Sequence, residues 1–312
     1  MLTVADVEAA CERTAAYVRR TPLFAADPIG GAQIWIKAEF LQKCGVFKTR
    51  GAFNRQLAAV ARGEVDESVG VVAASGGNAG LANAFAAAAL GVPATVFVPE
   101  TVPQVKVERL RQYGAQVRQV GTEYAEAYEA AQEYVAATGA LFCHAYDQPD
   151  IAAGAGVIGV EIIEDLPDVD TIVVAVGGGG LYAGVATVAA AHDVRVVAVE
   201  PARIPTLHSA LSAGHPVDVT VSGVAADSLG ARRIGAEAFE VATATPPRSV
   251  LVDDAAIVAA RDVLWDDYRI AAEHGAATAL AALTSGVYQP VPGERIAVIV
   301  CGANTDLRSL GE

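Results

Sequence analysis

An α/β architecture of two open parallel sheets is predicted by three features of the 312-residue chain. Runs of β-branched residues recur at 34–37, 70–75, 94–98, 171–176, 194–199, 249–252 and 296–300. These runs are apolar throughout rather than alternating, as expected of strands buried on both faces. The stretches between them are long enough for a helix and rich in small residues, so strand and helix alternate.

Taken in order, the first twenty residues read as an amphipathic helix rather than a signal peptide. IWIK follows as a strand that carries Lys37, with Glu39 two residues on as its expected partner. Two strand–helix units come next: GVVAAS leads through a Ser-Gly-Gly-Asn turn to NAGLANAFAAAALG, and ATVFV leads to PQVKVERLRQYG. A different segment begins near Tyr146 and holds the longest strand series. The expected organisation is a large domain of residues 1–61 and 144–312, with a small domain, 62–143, inserted in it. Each unit should be a three-layer αβα sandwich.

Hydrophobic residues make up 53% of the chain and charged residues 19%, enough apolar surface for two cores. The net charge of −14 comes without a Lys/Arg run, which argues against nucleic acid and anionic membranes as partners. The four cysteines, Cys11, Cys44, Cys143 and Cys301, lack zinc or redox spacing. A reduced, cytoplasmic protein is expected. The five histidines show no ligand spacing either, so no metal site is predicted.

Three loops could bind a ligand. Val176–Gly184 holds four consecutive glycines after a strand and before a helix, a setting that suits an anion such as phosphate. It also loosely matches a dinucleotide fingerprint, with Glu200 at a later strand end, and a ligand-free tight turn remains a third reading. Ala74–Gly80 places Ser75 and Asn78 at a helix start, where they would either hold a carboxylate or cap the helix. Val298–Asp306 puts Cys301 at the carboxyl end of the last strand, as a ligand neighbour or a core thiol. Lysine is scarce: Lys37, Lys43, Lys48 and Lys106 stand against 18 arginines. Lys48 sits at an expected helix start after Phe47, as a reactive amine or as a solvated helical lysine. Lysine is the side chain that bonds to an aldehyde and then, freed, acts as a base. Lys106 lies on a charged helix with Glu108 and Arg109 nearby.

Together, K-A-E-F-L-Q-K-C-G-V-F-K-T-R-G-A, A-S-G-G-N-A-G, V-G-G-G-G-L and C-G-A-N resemble, in order and spacing, the tryptophan-synthase-β-like (fold type II) pyridoxal-phosphate (PLP) enzymes. Within that family the chain is most similar to serine/threonine dehydratases, and Gly76 with Cys301 looks like the serine dehydratase branch. The resemblance implies PLP in the interdomain cleft, bound covalently to Lys48, which would also shuttle the α-proton. Phe47 would pack near the ring and Asn78 would bond its hydroxyl. Gly177, Gly178, Gly179, Gly180 and Leu181 would cradle the phosphate, and Cys301 would face the pyridine nitrogen. Ser75, Gly76, Gly77, Asn78 and Ala79 would bind the substrate carboxylate.

The implied reaction is elimination from L-serine or L-threonine to pyruvate or 2-oxobutanoate plus ammonia. Gly76 stands where racemases carry a serine, so racemisation is not expected. Thr206 stands where a divalent site would want an acid, which leaves a monovalent cation possible. A homodimer is expected. A β-replacement enzyme of the same fold, a nucleotide-binding oxidoreductase and a non-catalytic PLP carrier are the alternatives.

Overall fold

The computed structural model of the protein describes residues 1–310. Its strands are β1 (Leu23–Ile29), β2 (Ala32–Lys37), β3 (Val71–Ala74), β4 (Ala94–Val98), β5 (Gln116–Gln119), β6 (Leu141–Phe142), β7 (Thr171–Ala175), β8 (Arg195–Pro201), β9 (Arg248–Val252) and β10 (Arg295–Ile299). They form a six-stranded sheet ordered β1-β2-β10-β7-β8-β9 and a four-stranded sheet ordered β5-β4-β3-β6. Every pairing is parallel except β1 with β2, an antiparallel hairpin on one edge of the larger sheet.

The smaller sheet shows why its strands lack alternation. Val71, Val96 and Val98 face a core shared with Val107 and Leu110, while Val72, Ala74 and Phe97 face one shared with Ala127 and Ala131. Successive side chains point to opposite faces, and each face has helices on it, so both must be apolar. In the larger sheet the helices Gly180–Ala191 and His274–Thr284 both pack on β7 and β8. A third helix, Pro149–Asp165, lies against Gly180–Ala191 and against Lys48–Ala61. Small residues allow this: a Cβ on Gly184 would lie 2.2 Å from the Ala152 carbonyl oxygen. No helix among the described residues is long and apolar enough to cross a membrane.

One expected partnership is corrected. Lys37 does not pair with Glu39; its Nζ meets Glu161 at 2.6 Å, while Glu39 receives Arg50 at 2.8 Å. The strand ends at Lys37 and Glu39 enters a 3₁₀ turn, so the two side chains no longer share a face. Lys106 pairs with Asp227 of the other sheet's helical layer, not with a neighbour on its own helix.

Candidate active site

The carboxyl ends of β2, β3, β7 and β10 lead into the segments singled out above, which converge with the segment after β6 on one cavity of about 530 Å³. Ligand sites of open parallel sheets form at this end of the strands. The backbone joins two of the loops directly. Phe47 N–H donates to the Cys301 carbonyl at 3.0 Å, Ala303 N–H donates to Gly45 at 2.9 Å, and Val46 bridges Gly302. The segment before the helix Lys48–Ala61 is thereby fixed to the end of β10. Lys48 is the first residue of that helix, half-buried, with Nζ donating to the Ala145 carbonyl at 3.0 Å and 5.2 Å from the Phe47 ring centre. Burial lowers its pKa, against the pull of Cys301 and Glu273. An amine stripped of water in this way is a better nucleophile and base near neutrality.

The four-glycine loop lies on the same wall. Its helix starts at Gly180, and no side chain caps it. The helix amides at this end are therefore left for a ligand or water. Glycine is required here for packing as well: a Cβ on Gly178 would lie 2.2 Å from the Tyr146 ring, and Gly179 has φ +93°. Glu200 is unavailable to a nucleotide ribose. It is fully buried, accepting the N–H groups of Leu207 and His208 at 2.7 and 2.8 Å and the Thr206 hydroxyl at 3.0 Å. Thr206 Oγ1 also lies 2.5 Å from the Gly177 carbonyl oxygen, so its single proton is shared between the two acceptors and ties this carboxyl to the glycine loop.

Across the cavity, neither Ser75 nor Asn78 caps the helix Asn78–Leu90, whose N-cap is Gly77 without a side-chain bond. Ser75 Oγ accepts from Gly77 N–H at 3.3 Å. Gly76 faces Val102: an added Cβ would meet its methyls at 3.1 and 3.2 Å, whereas Gly77 is open. Asn78 is held from both sides, donating to the two Glu273 oxygens at 2.9 and 3.0 Å and accepting from Asn304 at 2.7 Å. Ala79 and Leu181 are buried on the lining. Cys301 is buried there too, and burial pushes its thiol pKa far up, so it is a neutral thiol rather than a thiolate.

Glu273, His144 and Tyr146 belong to this lining although no role was expected of them. Glu273 is only 7% exposed. Burial pushes its pKa from 4.5 up to about 7, opposed by the Asn78 hydrogen bond and Lys48. A carboxyl whose folded pKa is raised contributes stability that is complete below its unfolded pKa and lost as pH rises through the folded value. In cofactor-free protein, the parent should therefore lose on the order of 3 kcal/mol more stability between pH 4 and 8 than Glu273→Gln does. Urea unfolding at the two pH values checks this, and parallel pH dependence of the two proteins would refute it.

A two-sheet α/β enzyme with a desolvated lysine, an uncapped glycine-rich helix start and a buried thiol in one cleft is the class defined so far. The family model described as pyridoxal-phosphate dependent enzyme matches residues 15–302, and the chain belongs to that family. An L-threonine ammonia-lyase from Geobacter sulfurreducens is 37% identical, over 99% of this chain and 77% of the relative. A phenylserine dehydratase from Ralstonia pickettii is 34% identical, over 93% of this chain and 89% of the relative. Maize serine racemase superposes with a TM-score of 0.93 at 31% identity, over 99% of this chain and 95% of that one. The fold is that of the fold type II PLP enzymes, and PLP is the cofactor. The residues fit it: the Lys48 amine, able to bond an aldehyde, and uncapped glycine amides, able to hold a phosphate, line a single cavity.

Proposed function

We infer that the protein removes water and ammonia from a β-hydroxy-α-amino acid, L-serine or L-threonine, releasing pyruvate or 2-oxobutanoate. The observation that carries the reading is the half-buried Lys48 amine, lowered in pKa and held by a backbone carbonyl, opposite a loop whose second residue is Gly76 against Val102. The threonine ammonia-lyase and phenylserine dehydratase relatives support elimination.

The amides of Gly177–Leu181 would hold the cofactor phosphate, and Lys48 would anchor the cofactor covalently. Phe47 would pack near its ring and Cys301, as a thiol, would face the pyridine nitrogen. Asn78 would bond the ring hydroxyl through an amide already oriented by Glu273 and Asn304. When bound, PLP supplies an electron sink for the bonds at the substrate α-carbon. The Ser75–Ala79 loop would hold the substrate carboxylate at a helix start. Lys48, displaced by the substrate amine, would take the α-proton and return it to the departing oxygen, so that water leaves as the Cα–Cβ double bond forms.

Racemisation requires a second proton donor on the face away from Lys48. Gly76 carries no hydroxyl, and Val102 fills the space beside it. The test is keto-acid release from L-serine and L-threonine with parallel chiral analysis of remaining serine. Keto acid without D-serine is the expected result. D-serine at a comparable rate would favour the racemase reading, and no keto acid from either substrate would refute elimination.

A further inference from the structure

His144 follows β6 at its carboxyl end and lines the cavity beside Lys48. The next residue, Ala145, supplies the carbonyl that holds the Lys48 amine. The imidazole is fixed by the chain's own backbone. Nδ1 accepts the N–H of Tyr146 at 3.2 Å and that of Asp147 at 2.8 Å, and these are the ring's hydrogen bonds among the described residues. A ring nitrogen that accepts two N–H groups carries no proton, so a neutral ring is protonated on Nε2. Burial lowers the ring's pKa, with Asp147 opposing and Lys48 reinforcing. The ring sits edge-on to Tyr146, centroids 4.6 Å apart, and to Phe142 at 6.1 Å. The His144 backbone N–H is tied to Gln148 at 2.9 Å. Orientation, tautomer and charge are thus all set before any substrate arrives.

We propose that His144 donates its Nε2–H to the β-hydroxyl of the substrate, positioning the leaving oxygen and stabilising the negative charge that gathers on it. This rests on the elimination reading and deepens it by naming what selects an oxygen leaving group. The Cα–H electron pair becomes the Cα–Cβ double bond, and the Cβ–O pair departs on oxygen. That oxygen takes the proton carried by Lys48 and leaves as water, while His144 keeps its own proton throughout. A fixed donor aimed at developing charge acts without reorganising.

The experiment compares holoenzyme turnover of L-serine with that of β-chloro-L-alanine, whose chloride leaves without needing such a donor. His144→Asn is the variant of choice, because its Oδ1 replaces Nδ1 as the acceptor for the 146–147 amides while Nε2–H is removed. We expect kcat/KM for L-serine to fall about 100-fold, as for loss of one charge-stabilising donor, with the β-chloro-L-alanine value changing by less than about threefold. Retained turnover of the chloro substrate also shows that the variant is folded and loaded. Equal losses on both substrates, or no loss on either, would overturn the proposal. If the parent enzyme eliminates neither substrate, the dehydratase reading fails and this one falls with it.

Discussion

Lys48→Ala should slow keto-acid release by about 10⁴-fold or more, since base catalysis alone contributes on the order of 10² to 10⁴ and the covalent anchor is lost as well. The variant should still fold. In the parent, the Lys48 side chain makes one hydrogen bond, to Ala145, and losing it costs about 1 kcal/mol. The phosphate site proposed for the Gly177–Leu181 amides would not depend on this side chain, so PLP should still bind, but without the imine absorption band. The checks are steady-state keto-acid assays, absorbance after PLP loading and a thermal melt. A variant within tenfold of the parent would remove Lys48 from the chemistry. A variant that fails to melt cooperatively would mean that the residue is structural.

Arg50→Met should be strongly destabilising although it lies outside the cavity. Arg50 is fully buried and bonds Glu39 at 2.8 and 2.9 Å and Glu161 at 2.7 and 2.8 Å. Lys37, also fully buried, bonds Glu161 at 2.6 Å and the Thr21 carbonyl at 2.7 Å. Two cations thus balance two carboxylates in the interior. Removing one partner of such a group strands a charge and costs about 3–5 kcal/mol, whereas apolar replacement of the whole cluster is often neutral. Arg20 provides the contrast: it pairs with Glu164 and Asp165, but its side chain is 52% exposed. Arg20→Ala should cost less than about 1 kcal/mol. Urea unfolding of the two variants decides the point, and similar midpoints would mean that the interior cluster is no stronger than the surface one.

The central strands were legible because burial on both faces leaves a continuous apolar run. The edges were not. β1 reads LFAADPI and β5 reads QVRQ, both half-exposed, and β6 has two residues. An edge strand need satisfy the apolar rule on one face at most, and Asp27 with Pro28 looks like a turn. Within the site, loops that announce themselves by glycine or a rare lysine were visible. Glu273 was hidden because an acid at the start of an alanine-rich helix reads as a complement to the helix dipole. His144 was hidden because nothing local reveals that two following amides turn back onto its ring.

The buried charges also constrain the order in which the chain is completed. Thr21, Lys37, Glu39 and Arg50 emerge from the ribosome early, but Glu161 lies 111 residues beyond Arg50 and 124 beyond Lys37. Until it arrives, two cations face a single carboxylate, and the nascent N-terminal portion carries an uncompensated charge that resists enclosure. The strands of the smaller sheet are synthesised in that interval. Ribosome-bound chains ending before Glu161 should therefore present a protease-sensitive N-terminal portion, and full protection should come only once β10, the parallel partner of β2, has also emerged.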